Sequence, residues 1–219
     1  MRQFRMCMVF ISAAMVLETG IANAQQVVTL KVAHFQTSSS NLQKYVLEPW
    51  CDKISKESGG NLKCQFYPSM QLGGTPSQLF DQARDGVADI VWTIPTYQAG
   101  RFTKTEVFEL PFMINSSERG SQALWEYIQE KTLDEFKGVK LLATHFNDGN
   151  QLFFGSKQVR KMEDLKGLKI RAASRLTSKT LSALGAIPVQ MPAPAVSEAI
   201  SIQGSSRWGQ HFLGGVYFT

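Results

Sequence analysis

Three short apolar runs separated by two stretches of helical spacing dominate the first half of the chain and limit the folds open to it. Residues 27–32 (Val-Val-Thr-Leu-Lys-Val), 62–67 and 88–93 are β-branched, aromatic and apolar enough to read as buried strands. After the first comes a polar loop, Ser38-Ser39-Ser40, suited to capping a helix. Leu42, Tyr45, Val46, Trp50 and Ile54 then share one helical face, with Pro49 as a kink and Ser58-Gly59-Gly60-Asn61 as the stop. After the second strand, Leu72-Gly73-Gly74 forms a tight turn. Thr75-Pro76-Ser77-Gln78 follows as a capping box with proline at the first helical position, opening a helix lined by Leu79, Phe80 and Ala83 and ended by Gly86. The order β-α-β-α-β predicts an α/β fold, a sheet with helices on its faces.

The second half resumes this alternation after an apolar, proline-interrupted linker at 108–113. Residues 118–136 read as a helix with Leu124, Tyr127 and Ile128 buried, 140–144 as a strand leaving the first lobe, and 153–156 as an extended crossover. Met162-Glu-Asp-Leu-Lys-Gly-Leu-Lys-Ile-Arg171 is the most informative stretch for function. It reads as a helical turn and then a strand whose last residues carry a fixed cation to the C-terminal edge of a sheet. Open α/β sheets bind ligands at that edge, and guanidinium is shaped to grip a carboxylate with two parallel hydrogen bonds. A helix over 174–184 ends at Gly185, and Pro194 starts another after 187–190.

Export is predicted from residues 1–24: Arg2 and Arg5, an apolar run at 6–17 too short for a permanent membrane span, and Ala22-Asn23-Ala24 as a cleavage site. The expected product begins at Gln25, is periplasmic, and does not insert directly into the membrane after cleavage. Its two remaining cysteines, Cys51 and Cys64, are thirteen residues apart and are expected as a disulfide between a helix and the next strand. A zinc pair would need further ligands at useful spacing.

The chain's net charge of +5 comes from lysines and arginines scattered through helices, not from the concentrated basic patch that nucleic acid requires. His34, His145 and His211 lie far apart, without H-E-x-x-H spacing, and there is no nucleophile elbow, P-loop or dinucleotide fingerprint. No catalytic residue, metal or cofactor is therefore assigned. The loops at strand ends do assemble a pattern: His34-Phe35-Gln36, residues 92–97, 147–151 and 171–174. Aromatics, amides and one arginine there describe a pocket for a small organic anion, with Arg171, Ser174, Gln151, Phe35 and Trp92 as candidate binding residues.

The motifs Leu30-Lys31-Val32-Ala33-His34, Tyr67-Pro68-Ser69-Met70-Gln71-Leu72-Gly73-Gly74, Asp85-Gly86-Val87-Ala88-Asp89-Ile90, Phe108-Glu109-Leu110-Pro111-Phe112 and Asp164-Leu165-Lys166-Gly167-Leu168-Lys169-Ile170-Arg171 follow one another in a pattern that covers roughly residues 27–203. In this order they resemble the periplasmic solute-binding subunit of tripartite ATP-independent (TRAP) transporters, the DctP-type family. The resemblance implies a two-lobed clamshell that captures a small carboxylate and delivers it to TRAP permease membrane subunits, with Arg171 matching the family's carboxylate-binding arginine. Ser174 and Gln151 fall among pocket positions. Gln151 and Ala193 stand where sialate-type members carry an arginine and an aromatic, which weakens a sugar-acid reading. The expected divisions are a signal peptide at 1–24, an α/β first lobe at 25–143, a partial second lobe at 144–203, and an atypical tail at 204–219.

The tail holds four glycines and one charge without a helix or strand period, reads like out-of-frame sequence, and leaves an expected second lobe that is incomplete. It is expected to lack regular structure and to leave 168–170 and Leu181 partly uncovered, a truncation that would put native transport in doubt. Two alternatives stand beside solute capture: a sensor adapter of the same fold that presents its ligand to a signalling partner, and an exported α/β enzyme. Neighbouring permease genes favour the first reading, a neighbouring sensor kinase the second, and turnover of a carboxylate the third.

Overall fold

The computed structural model describes residues 26–147, 151–154, 158–203, 208–212 and 215–218, with side chains described to residue 199. The export segment at 1–24 lies outside the described residues. Strand β1 (Val28–His34) pairs in parallel with β2 (Leu62–Tyr67) on one side and β3 (Ile90–Thr93) on the other. Helices α1 (Glu48–Glu57) and α2 (Leu79–Arg84) make the two crossovers. Alternation along the strands splits the core between the faces. Val32 and Ile90 pack with Leu47 and Cys51, while Ala33, Val91 and Trp92 pack with Leu79 and Phe35. Cys51 and Cys64 are joined as a disulfide from α1 to β2, with Cα atoms 5.9 Å apart. Before α2, the Thr75 N–H donates to Gln78 Oε1 at 2.8 Å, the reach-back of a capping box.

The inward face of the first helix differs from the expected one. Tyr45 is 74% exposed, and Val46 and Trp50 are exposed as well, while Leu47 and Cys51 turn inward. Residues Gln43–Leu47 form a π turn ahead of Pro49, near the start of α1. Proline lacks an N–H and its ring crowds the carbonyl four residues back, so the backbone widens there and the face rotates.

Helix α3 (Ser117–Tyr127) continues through a π turn at Ile128–Thr132 and a 3-10 turn at Leu133–Phe136, burying Leu124, Ile128 and Phe136 against Phe80 and Phe102. The strand expected at 140–144 lies later, as β4 (Ala143–Phe146). Leu141 is buried from an irregular segment beneath α3, so its apolar character marks packing and not a strand. A lobe boundary between 143 and 144 would cut β4, all four residues of which pair within the first sheet.

The second sheet contains β5 (Gln151–Phe154), β6 (Lys169–Ala172) and β7 (Ile187–Gln190), with α4 (Arg175–Ala183) crossing between the last two and α5 (Val196–Gln203) following. The extended crossover read at 153–156 is in part β5; residues 155–157 lie outside the described residues. Leu165, Ile170, Ala172, Leu181 and Ala186 form a closed core of their own, with Ile170 and Leu181 fully buried. The expected exposure is therefore absent at Ile170 and Leu181, which pack with Leu165 and Ala186, while Leu168 is only partly buried. Exposed apolar side chains gather instead at Leu110, Phe112 and Met113.

The tail is also more regular than its composition predicts. β8 (Trp208–Phe212) enters the second sheet between β5 and β6, and β9 (Gly215–Phe218) enters the first between β3 and β4. Ladder hydrogen bonds come from the backbone and need no side-chain period. A segment without amphipathic pattern can thus fill a gap between two strand edges.

Candidate ligand-binding site

Both sheets share one topological device. The first begins β2-β1-β3, and β8-β6-β7 repeats it in the second: a strand leads to a neighbour on one side, and the chain then crosses to the other. The carboxyl ends of the central strands are switch points, where diverging loops leave a crevice. Phe35 follows β1, Trp92 lies in β3 with Tyr97 in the 3-10 turn just after it, and Arg171 and Ser174 end and follow β6.

Arg171 is 1% exposed, the largest fully buried side chain among the described residues. Its Nε donates to the Met191 carbonyl at 2.9 Å and an Nη donates to the Tyr97 hydroxyl at 3.2 Å. Burying a guanidinium costs free energy unless polar partners surround it, and these two fix its plane. Facing it from the first sheet is an aromatic wall. The Phe35 ring lies 4.9 Å from Trp92 and 5.6 Å from Tyr97, centroid to centroid.

Trp92 extends this wall to His145 on β4, donating from Nε1 to Nε2 at 3.4 Å across nearly parallel rings. Burial pushes the His145 imidazole down to about 4 from its ordinary 6.5, so it is neutral at pH 7. Burial likewise lowers His34, which is opposed by a hydrogen bond to Gln43. Between pH 6.5 and about 4 the unfolded chain takes up a proton at residue 145 that the folded chain resists, so this group's contribution is present above 6.5 and lost as pH falls. The stability advantage of wild type over His145→Gln, which keeps an acceptor for Trp92, is expected to shrink or reverse across that window. Parallel thermal melts at pH 7, 5.5 and 4.5 check this, and a pH-independent difference would contradict it.

Ser174 is wholly buried and its hydroxyl is already engaged. It donates to Glu109, accepts from the Thr177 N–H at 3.2 Å and caps α4. Through its donated bond Ser174 ties the second sheet to the Glu109 segment. The other Glu109 oxygen accepts from Thr96 Oγ1 at 2.5 Å, and Arg175 pairs with Glu106 beside it. Burial raises the Glu109 carboxyl above its usual range despite those two hydroxyl donors. Ser174→Ala is expected to lower stability by about 1–2 kcal/mol through loss of the cap, seen as a fall in melting temperature, and an unchanged melt would contradict the role.

Gln151 opens β5 opposite Phe212, exposed and separated from β6 by β8. The structure records no contact between it and the Arg171 cluster among the described residues, and residues 148–150 of that loop lie outside them. Sequence reasoning places residues 92–97 at the pocket without singling out Tyr97, and gives no role to Glu109 or His145. Tyr97 had a signal, its place in the loop after the third strand; a lone Glu in an apolar linker and a His in a short strand had none. No group of three or more His, Cys, Asp or Glu side chains that could hold a metal occurs among the described residues, and no helix among them is long and apolar enough to cross a membrane.

Two switch points facing each other, one bearing a buried arginine and the other an aromatic wall, define a two-lobed α/β binding protein. Residues 32–202 match the bacterial extracellular solute-binding protein family 7, DctP, and the chain belongs to that family, one of binding proteins and not of enzymes. A TRAP solute-binding protein from Rhodoferax ferrireducens T118, solved with copurified benzoate, is similar at 42% identity and TM-score 0.82, over 88% of this chain and 67% of that one. A marine metagenome TRAP protein described as specific for aromatic acids, solved with 3-hydroxybenzoate, is similar at 37% identity and TM-score 0.82, over 88% and 68%. Among curated proteins, the outer membrane transporter protein TsaT of Comamonas testosteroni is 26% identical over 193 residues, 87% of this chain and 56% of its own. The chain spans about half the length of the curated relatives it matches.

Proposed function

We propose that this chain captures a small aromatic carboxylate in the periplasm and hands it to the membrane subunits of a TRAP-type transporter. The observation that carries the reading is the buried Arg171 guanidinium, joined through the Tyr97 hydroxyl to the aromatic cluster of Phe35 and Trp92. A guanidinium accounts for a carboxylate, and flat rings nearby suit an aromatic body. The benzoate and 3-hydroxybenzoate in the two similar structures support this ligand class over a sugar acid. Phe35 and Trp92 form the floor, being themselves almost fully buried. Ser174 holds the β6 loop in place through Glu109, and Gln151 stands at the rim of the second sheet. Residues 25–146 serve as the first lobe, which keeps β4 whole, and residues 147–203 as the partial second lobe.

Export through the segment at 1–24 and delivery to a permease go with the family membership. The test is a thermal-shift and calorimetric screen of benzoate, 3-hydroxybenzoate, succinate and sialate on the purified chain. Stabilisation by the aromatic acids is expected. A response to none of them, or to the sugar acid alone, would overturn the reading.

A further inference from the structure

Two hydrogen bonds converge on the Tyr97 hydroxyl, both from donors of the second half of the chain. Arg171 Nη2 approaches it at 3.2 Å, and the Ala193 backbone N–H at 3.2 Å. Guanidinium and amide nitrogens can only donate, so the phenolic oxygen accepts both. An oxygen that accepts twice must direct its own proton elsewhere. Tyr97 belongs to the 3-10 turn Pro95–Tyr97 after β3, while Arg171 is the penultimate residue of β6 and Ala193 follows β7. Its ring packs with Phe35, and the hydroxyl stands where the aromatic wall meets the arginine.

We infer that Tyr97 is a specificity-determining residue of the binding site: it fixes the Arg171 plane and donates its phenolic proton to the second oxygen of the ligand carboxylate. This rests on the carboxylate-capture reading above and goes further by naming a second donor. Arg171 and Tyr97 together present donors only. A carboxylate, which only accepts, satisfies both. A primary amide of the same shape turns an N–H toward one of them and leaves a buried donor unpaired. The pair thus selects ionised acids over their neutral isosteres, which an apolar wall alone cannot do.

The experiment is calorimetric titration of the purified chain and of Tyr97→Phe with sodium benzoate and with benzamide. The variant keeps the ring and removes only the hydroxyl, and a cooperative melt without ligand, well above the titration temperature, establishes that it is folded. Wild type is expected to prefer benzoate, and Tyr97→Phe to bind benzoate roughly tenfold more weakly, the scale of one hydrogen bond to a charged group. Benzamide affinity should change much less, so the preference narrows. Equal benzoate affinity in the two proteins overturns the inference and leaves Arg171 as the carboxylate site. Equal losses for benzoate and benzamide also overturn it, since the hydroxyl would then serve packing alone. A wild-type chain that binds neither compound overturns the parent reading and this inference together.

Discussion

Replacing Arg171 with lysine is expected to weaken benzoate binding by ~10- to 100-fold, the equivalent of losing a charge-assisted hydrogen bond worth roughly 1.5–3 kcal/mol. The charge is conserved in this substitution, so the effect isolates geometry. The guanidinium holds one fixed plane by donating to the Met191 carbonyl through Nε and to the Tyr97 hydroxyl through an Nη. A single ammonium on a flexible stem cannot keep both anchors and still present two parallel donors to a carboxylate. Because the site is buried, water does not replace the missing bond. Calorimetry with benzoate reads the loss directly, alongside a melt to confirm folding. Affinity within twofold of wild type would remove Arg171 from the site.

Removing the Cys51–Cys64 bridge is expected to lower stability by about 3 kcal/mol without changing ligand affinity at temperatures where the protein stays folded. The bridge closes a thirteen-residue separation between α1 and β2, and closing a loop of that size restricts the unfolded chain by about that amount. For a chain of this size the loss corresponds to a fall of roughly 6–12 °C in melting temperature. The sulfurs lie in the cluster with Val32, Leu47 and Ile90, so a Cys51→Ala/Cys64→Ala pair leaves small, apolar replacements and not unpaired polar atoms. Phe35, Trp92 and Tyr97, which line the proposed site, sit at the carboxyl ends of the strands, in a different cluster. A melt of the double variant within a degree of wild type would show that the bridge contributes little, and a large loss of affinity would show that it shapes the site.

Much of the architecture was legible because its causes are local. The three strand runs and their crossover helices follow from side-chain periods of 2 and 3.6 residues, and the Thr75–Gln78 reach-back from the chemistry of four consecutive residues. The same holds for Arg171, since the turn at Met162–Leu165 and the strand Lys169–Ala172 place it at a sheet edge whatever the rest of the chain does. Where local pattern failed, a non-local cause had taken over. Leu141 looked like strand and is packing for α3. Tyr45 and Val46 looked buried, until the π turn before Pro49 rotated their helix. The tail had no period to read, and pairs because two strand edges bracket it.

The sequence by itself determined an α/β chain of family 7 with an arginine at a strand end and two cysteines within reach of each other. Only the tertiary structure decided which loops meet. Tyr97 finds Arg171 across 74 residues and Glu109 finds Ser174 across 65. No spacing encodes either contact. Both arise because each sheet reverses its strand order at a central strand, which turns the two sets of carboxyl-end loops toward each other and buries the polar side chains where they must find partners.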